Sequence, residues 1–276
     1  MRNQSAGSYA FGSFSEDHEE LERLQRQAGI ARELESRVLR QTGLDSGMRV
    51  LDLACGPGIV TAMLAEAVVD GEVLGVDLSK ELLVQARAYA DNQQLTNVRF
   101  QQGDVYALDE SLGQFDFIYA RFLFQHLADP DKAMAQILPR LAPGGRLCVV
   151  DIDDQWLTLH PEPDGFRSFT GHAAEGQSHY GGDRNVGRKL GYLLQTNGLK
   201  DVDVNVITVT SQQLGIRNFL DITTGFKREQ VPDQLRDQAM ADLAEIYRVV
   251  DVDNAWGFVG VFVATGINTI SARTNQ

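Results

Sequence analysis

Short apolar runs and longer amphipathic stretches take turns between residues 49 and 151, so the hydrophobic period switches repeatedly from strand-like to helix-like. Runs at 49–54, 72–77, 97–101, 115–120 and 145–151 are rich in Val, Ile, Leu and Phe and read as strands. The stretches between them read as helices. After Asp129, which is placed to cap, Pro130 sits in a first turn, and Ala133, Ile137 and Leu141 share a face before Gly144. This alternation predicts an α/β fold, a parallel sheet with helices on both faces. Its ligand crevice lies beyond the carboxyl ends of the strands.

Ahead of the core, Ser13 and Glu16 have capping-box spacing. Leu21, Leu24, Ala28, Ala31, Leu34 and Val38 then keep a helical period up to Gly43, which predicts one or two helices over 14–42. Past the core, 185–199 reads as a helix ended by Gly198, and 201–210 and 256–266 as strands. A further helix is expected near 233–249, with Leu235, Met240, Leu243 and Tyr247.

Two stretches interrupt this order. Residues 151–184 show weak periodicity, yet Trp156, Phe166, Phe169 and Tyr180 argue against disorder. Residues 212–254 are longer than a hairpin needs. Both are expected to cap the crevice and bind substrate, although the helix face in the second equally suits a homodimer surface. The chain is expected to be one domain over 1–276: a helical N-terminal cap at 1–45, a cofactor-binding core at 46–152, cap insertions at 153–184 and 212–254, and the end of the sheet at 185–211 and 255–268.

The densest chemistry lies in VLDLACGPGIVT (50–61) and GEVLGVD (71–77), a strand, glycine loop, helix and strand of the nucleotide-binding βαβ kind. Gly56 and Gly58 let a ligand approach the backbone, and Asp77, 19 residues after Gly58, is placed to accept hydrogen bonds from ribose hydroxyls. Position 61, where a dinucleotide fingerprint wants a third Gly or Ala, is Thr. Asp52 adds a second carboxylate beside the loop, which repels a pyrophosphate and attracts a ligand carrying an ammonium and a sulfonium. S-adenosylmethionine carries both. Bracing of the loop by Asp52 is an equal reading.

On these residues the chain resembles the class I S-adenosylmethionine-dependent methyltransferases of the small-molecule type. DLACGPG (52–58) matches the family's glycine loop, GVDLS (75–79) its ribose-binding acid, QQGDV (101–105) the site where an aspartate reaches the adenine amino group, and LAPGG (141–145) the turn before the fifth strand. The resemblance implies a Rossmann-like, doubly wound, seven-stranded and mostly parallel sheet with an antiparallel last strand. It implies S-adenosylmethionine as cofactor, held by Asp52, Ala54, Gly56, Gly58, Asp77, Leu78, Asp104, Val105 and Arg121. It also implies that the N-terminal segment packs over the cofactor, with Tyr9 and Phe11 as an aromatic wall, or simply docks on the sheet.

The match has one informative departure. The (D/N/S)PP(Y/F) tetrapeptide of the DNA amino-methyltransferases is replaced by ARFL at 120–123, which disfavours nucleic-acid bases as acceptors. Arg121 either binds the methionine carboxylate or a substrate anion, or pairs at the surface. His126 is the candidate general base for a hydroxyl acceptor, in a reaction whose main demand is in-line alignment.

Charge and composition narrow the rest. A net charge of -13 disfavours nucleic acid as partner. Cys55 and Cys148 have neither disulfide nor metal spacing, and the polar start MRNQSAGSYAFG and the lack of a membrane-length apolar run point to the cytoplasm. Asp151, Asp153, Asp154 and His160 raise a metal site, but alternate strand residues face opposite sides, so no metal is expected. The expected activity is methyl transfer to an O, N or C atom of a small organic acceptor, either one with apolar surface or a cationic amine. The alternatives are a non-catalytic protein binding S-adenosylmethionine or S-adenosylhomocysteine, and an NAD-type oxidoreductase, which Asp52 and Thr61 disfavour.

Overall fold

The computed structural model describes residues 42–269 together with Ser36, Val38 and Leu39. Tyr9, Phe11, Ser13, Glu16 and most of the helical span expected over 14–42 lie outside the described residues. The five expected core strands form as β1 (Arg49–Leu53), β2 (Glu72–Asp77), β3 (Val98–Gln102), β4 (Phe115–Arg121) and β5 (Leu141–Ile152). They pair in parallel in the order β3-β2-β1-β4-β5. The helices between them are α1 (Ile59–Ala67), α2 (Lys80–Asn92) and α3 (Pro130–Ile137). Asp129 caps α3 by accepting from the Lys132 amide at 2.9 Å, with Pro130 in its first turn.

Successive strand residues point to opposite faces. Leu51, Ile118, Leu147 and Val149 pack against α3 and α5 (Leu190–Thr196) on one side. On the other, Val50, Phe117, Tyr119 and Cys148 pack against α1, Val38 and Leu39. Both faces of the central strands are therefore dry, which is why β1, β4 and β5 read as nearly unbroken apolar runs.

The sheet has eight strands where seven were expected. The strands at the end of the chain, β7 (Lys200–Thr210) and β8 (Trp256–Ile267), form the antiparallel pair foreseen from the sequence, and β8 also pairs antiparallel with β5. The additional strand is β6 (Thr158–His160), inside the first insertion. It does not widen the sheet: after β5 leaves β8 at Ile152–Val261, the chain makes one 3-10 turn at Asp154–Trp156, and β6 resumes pairing on that same edge from Thr158–Phe258.

The first insertion is also less irregular than its sequence suggests. It carries α4 (Phe166–Ser178), a 13-residue helix. Glycine at 171 and 176 obscured it, because glycine lowers helix propensity. Gly176 is required by packing: a β-carbon there would sit 1.8 Å from the carbonyl oxygen of Gln230 in the second insertion. That insertion supplies α6 (Ser211–Leu214), α7 (Ile216–Thr223) and α8 (Arg236–Tyr247). The two insertions share one apolar core, in which Phe166, Phe169 and Ala173 meet Phe219, Leu243 and Ile246 above Val259 of β8.

Candidate active site

At the end of β1 the chain turns sharply. Ala54, Gly56 and Gly58 adopt positive φ angles of 56°, 55° and 78°, and Ala54 does so at the cost borne by any residue with a β-carbon. Asp77, at the end of β2, fixes the turn from below: Oδ2 accepts from the Gly56 amide at 2.8 Å and Oδ1 from the Ser79 amide at 2.9 Å. Burial pushes the Asp77 carboxyl up, and these amide bonds oppose the shift. The position expected to bind ribose is thus also the brace of the glycine loop.

Asp52 is held differently. The Thr61 hydroxyl donates to its Oδ2 at 2.6 Å, and the carboxylate is nearly out of water. The residue that departs from the dinucleotide fingerprint is therefore a donor to the acid beside the loop. Sequence reasoning missed this role; the available signal was a hydroxyl in the first turn of the helix, nine residues after an acid at the strand end. Asp104, past β3, accepts from the Tyr106 amide at 2.8 Å, which fixes the turn in which it stands. Cys55 is buried between these acids, and desolvation, followed by Asp52 and Asp77, raises its thiol well above the ordinary range.

A cavity of about 300 Å³ opens beyond the carboxyl ends of these strands. Of the residues singled out from sequence, Asp52, Ala54, Gly56, Asp77, Leu78, Asp104, Val105, Arg121 and His126 all line it. Gly58 is not among its lining residues. A β-carbon there would stand 2.8 Å from Cβ of Ala86, so this glycine lets the loop pack on α2. Arg121 lies at the end of β4 with its guanidinium 4.2 Å above the Phe122 ring, and Phe122 itself has a φ of 52°. His126 ends a single 3-10 turn, Phe124–His126, and is half-buried on the cavity wall.

The far half of the cavity has another character. Ile152, Ile207, Val209, Ile222, Val259 and Val261 make most of its wall, drawn from β5, β7, α7 and β8. Its polar part centres on Asp154. Arg184 grips that carboxylate from Nε and Nη2, both at 2.9 Å, and Lys227 Nζ reaches Oδ2 at 2.9 Å. The two cations hold Asp154 down to about 2, while burial lowers Lys227 to about 8. Sequence reading singled out neither Arg184 nor Lys227, because they come from different insertions, 43 residues apart in the chain.

The carboxylates weighed as metal ligands diverge. Asp151 accepts from the amides of Gln125 and Ile152, Asp153 pairs with Arg188, and Asp154 pairs as described. Among the described residues, no group of three His, Cys, Asp or Glu is placed to hold a metal ion.

Known proteins agree with this construction. An uncharacterized 37.1 kDa protein in transposon TN4556 of Streptomyces fradiae is 31% identical over 207 residues, which cover 74% of this chain and 54% of that protein. The chain thus spans about half the length of that relative. A trans-aconitate 2-methyltransferase from Deinococcus radiodurans is 29% identical over 211 residues, covering 72% of this chain and 77% of the relative. The crystal structure of the YcgJ protein from Bacillus subtilis aligns with a TM-score of 0.59 at 20% identity, covering 85% of this chain and 97% of that one. The methyltransferase domain profile matches residues 44–198, more than half of the chain. By that match the chain belongs to the methyltransferase domain family and carries the class I S-adenosylmethionine-dependent methyltransferase fold.

Proposed function

We propose that the chain transfers the methyl group of S-adenosylmethionine to an O, N or C atom of a small organic acceptor. The observation that carries this reading is the division of one cavity into two halves. Asp52, Asp77 and Asp104 line one half together with residues of the glycine loop, and the other is walled largely by aliphatic side chains. Asp52, beside the loop, suits a ligand bearing an ammonium and a sulfonium and repels a pyrophosphate, which argues against NAD, whereas Asp77 suits the ribose of either cofactor.

In this reading Asp77 accepts from the ribose, Asp104 takes the adenine amino group, and Leu78 and Val105 flank the base. Ala54 and Gly56 present backbone to the cofactor, and Arg121 takes its carboxylate. The acceptor's lone pair attacks the sulfonium methyl in line, and the electrons of the breaking carbon–sulfur bond pass to sulfur to leave S-adenosylhomocysteine. The chain's task is alignment of the acceptor with the sulfonium methyl. A hydroxyl acceptor also gives up a proton, and His126 is the wall residue suited to receive it.

The net charge of -13 favours a small molecule over nucleic acid. A relative named for methylating trans-aconitate supports a small-molecule acceptor. Two buried thiols, Cys55 and Cys148, suit a reducing compartment such as the cytoplasm, and no helix among the described residues is long and apolar enough to cross a membrane.

Calorimetric titration with S-adenosylmethionine, S-adenosylhomocysteine and NAD in parallel tests the proposal. Micromolar binding of the first two without an NAD signal is expected. NAD binding alone would replace methyl transfer with redox chemistry, and binding of none would leave a fold without this function.

A further inference from the structure

Resting on the methyl-transfer reading, we infer that the acceptor half of the cavity is built for an apolar molecule that ends in a carboxylate. The chain as a whole is strongly acidic, and so is the cofactor half of the cavity. The far half reverses that sign. Arg184 and Lys227 bring two positive charges to the single carboxylate of Asp154, with all three side chains nearly out of water. An excess cation in such a place is poorly screened and attracts an anion more strongly than the same charge at the surface.

The geometry leaves room for that anion. Arg184 and Asp154 line the cavity, and Lys227, which is not among the lining residues, reaches it through its bond to Asp154. Arg184 also donates from Nη1 to Gln125 Oε1 at 2.7 Å, and its guanidinium stacks 5.6 Å from the Phe226 ring on the same wall. A guanidinium carries more N–H donors than these bonds use, and an ammonium more than its one bond to Asp154 uses. Asp151 cancels the excess only in part. Its oxygens accept backbone amides at 3.0 and 2.9 Å, it is not among the cavity-lining residues, and burial pushes it up to about 7, toward the neutral acid.

The remaining wall is aliphatic, so the group opposite this cluster is the part of the acceptor that carries charge. A cationic amine would meet like charge, and a neutral acceptor would leave the excess uncompensated.

Titration calorimetry on the full chain saturated with S-adenosylhomocysteine tests this with two matched sets: cinnamate, cinnamyl alcohol and cinnamylammonium, and octanoate, octanol and octylammonium. At least one acid is expected to bind about tenfold or more tightly than both its partners. Lys227→Met leaves Arg184 and Asp154 as a balanced pair and should erase that preference. Asp154→Asn adds to the excess and should widen it. Both variants should keep the parent's affinity for S-adenosylhomocysteine, which reports on folding at a distance from the change. Equal or tighter binding of an alcohol or ammonium, no binding of either acid, or a preference that survives Lys227→Met would overturn the inference. Failure of S-adenosylhomocysteine itself to bind would strike the methyl-transfer reading instead, and repeating the acid titrations on the unliganded chain separates the two results.

Discussion

The bond between Thr61 and Asp52 shows what a single hydroxyl contributes at this site. Asp52 is almost fully buried, and each donor to its carboxylate offsets part of the desolvation of its charge. Thr61→Val preserves shape and removes that donor. Stability should fall by about 1–3 kcal/mol in urea denaturation, and affinity for S-adenosylmethionine should fall with it. The placement of the acids was legible in the sequence, because Asp52, Asp77 and Asp104 stand at or just past strand ends, where the cavity opens. The donor was not, since the turn of the loop determines whether helix residue 61 faces strand residue 52. Gly58 was read as a point of ligand approach for a related reason: its neighbour Ala86 comes from another helix, and contacts of that kind leave no local signal.

Among the elements, the core strands could be placed to within a few residues because both faces of the central strands are covered and their apolar runs are unambiguous. The start of β5 was the exception. Leu141 already pairs with Phe115, and a register shift then absorbs the LAPGG turn before Arg146 pairs with Phe117. Helix α4 was hidden for a physical reason. Its glycines weaken the local preference for helix, and its stability comes from burying Phe166, Phe169 and Ala173 against the second insertion. That dependence has a sharp test in Gly176→Ala. The added carbon meets a backbone carbonyl rather than a movable side-chain tip, so a loss of about 2–4 kcal/mol is expected in chemical denaturation. An unchanged midpoint would mean that the two insertions are not held as closely as described.

At the scale of the whole molecule, burial of charge between cap and core ties stability to pH. The Asp151 carboxyl, pushed up to about 7 by burial, keeps its proton in the folded chain over a range where an unfolded aspartate, near 3.9, has lost it. Folded protein therefore binds more protons between these values, and stability falls as pH rises through that window, then levels off. Between pH 5 and 7 the loss should be about 2–3 kcal/mol, and Asp151→Asn should flatten it in denaturation curves at the two pH values. Asp154, held down to about 2, and Lys227, lowered to about 8, act mainly outside that interval. The sequence indicated an α/β molecule with two insertions but not the cation pair on Asp154, because Arg184 and Lys227 converge only once both insertions are folded together. The last strand sets one more condition on the molecule. From Trp256 to Phe258, β8 carries β6 on one edge, from Phe258 it carries β7 on the other, and from Val261 onward it lies between β5 and β7. One continuous strand is thus both floor of the cap and keystone of the sheet. Outward movement of the first insertion together with β6 would therefore break backbone pairing with β8, so the anchorage of the insertion and the integrity of the sheet are one and the same condition.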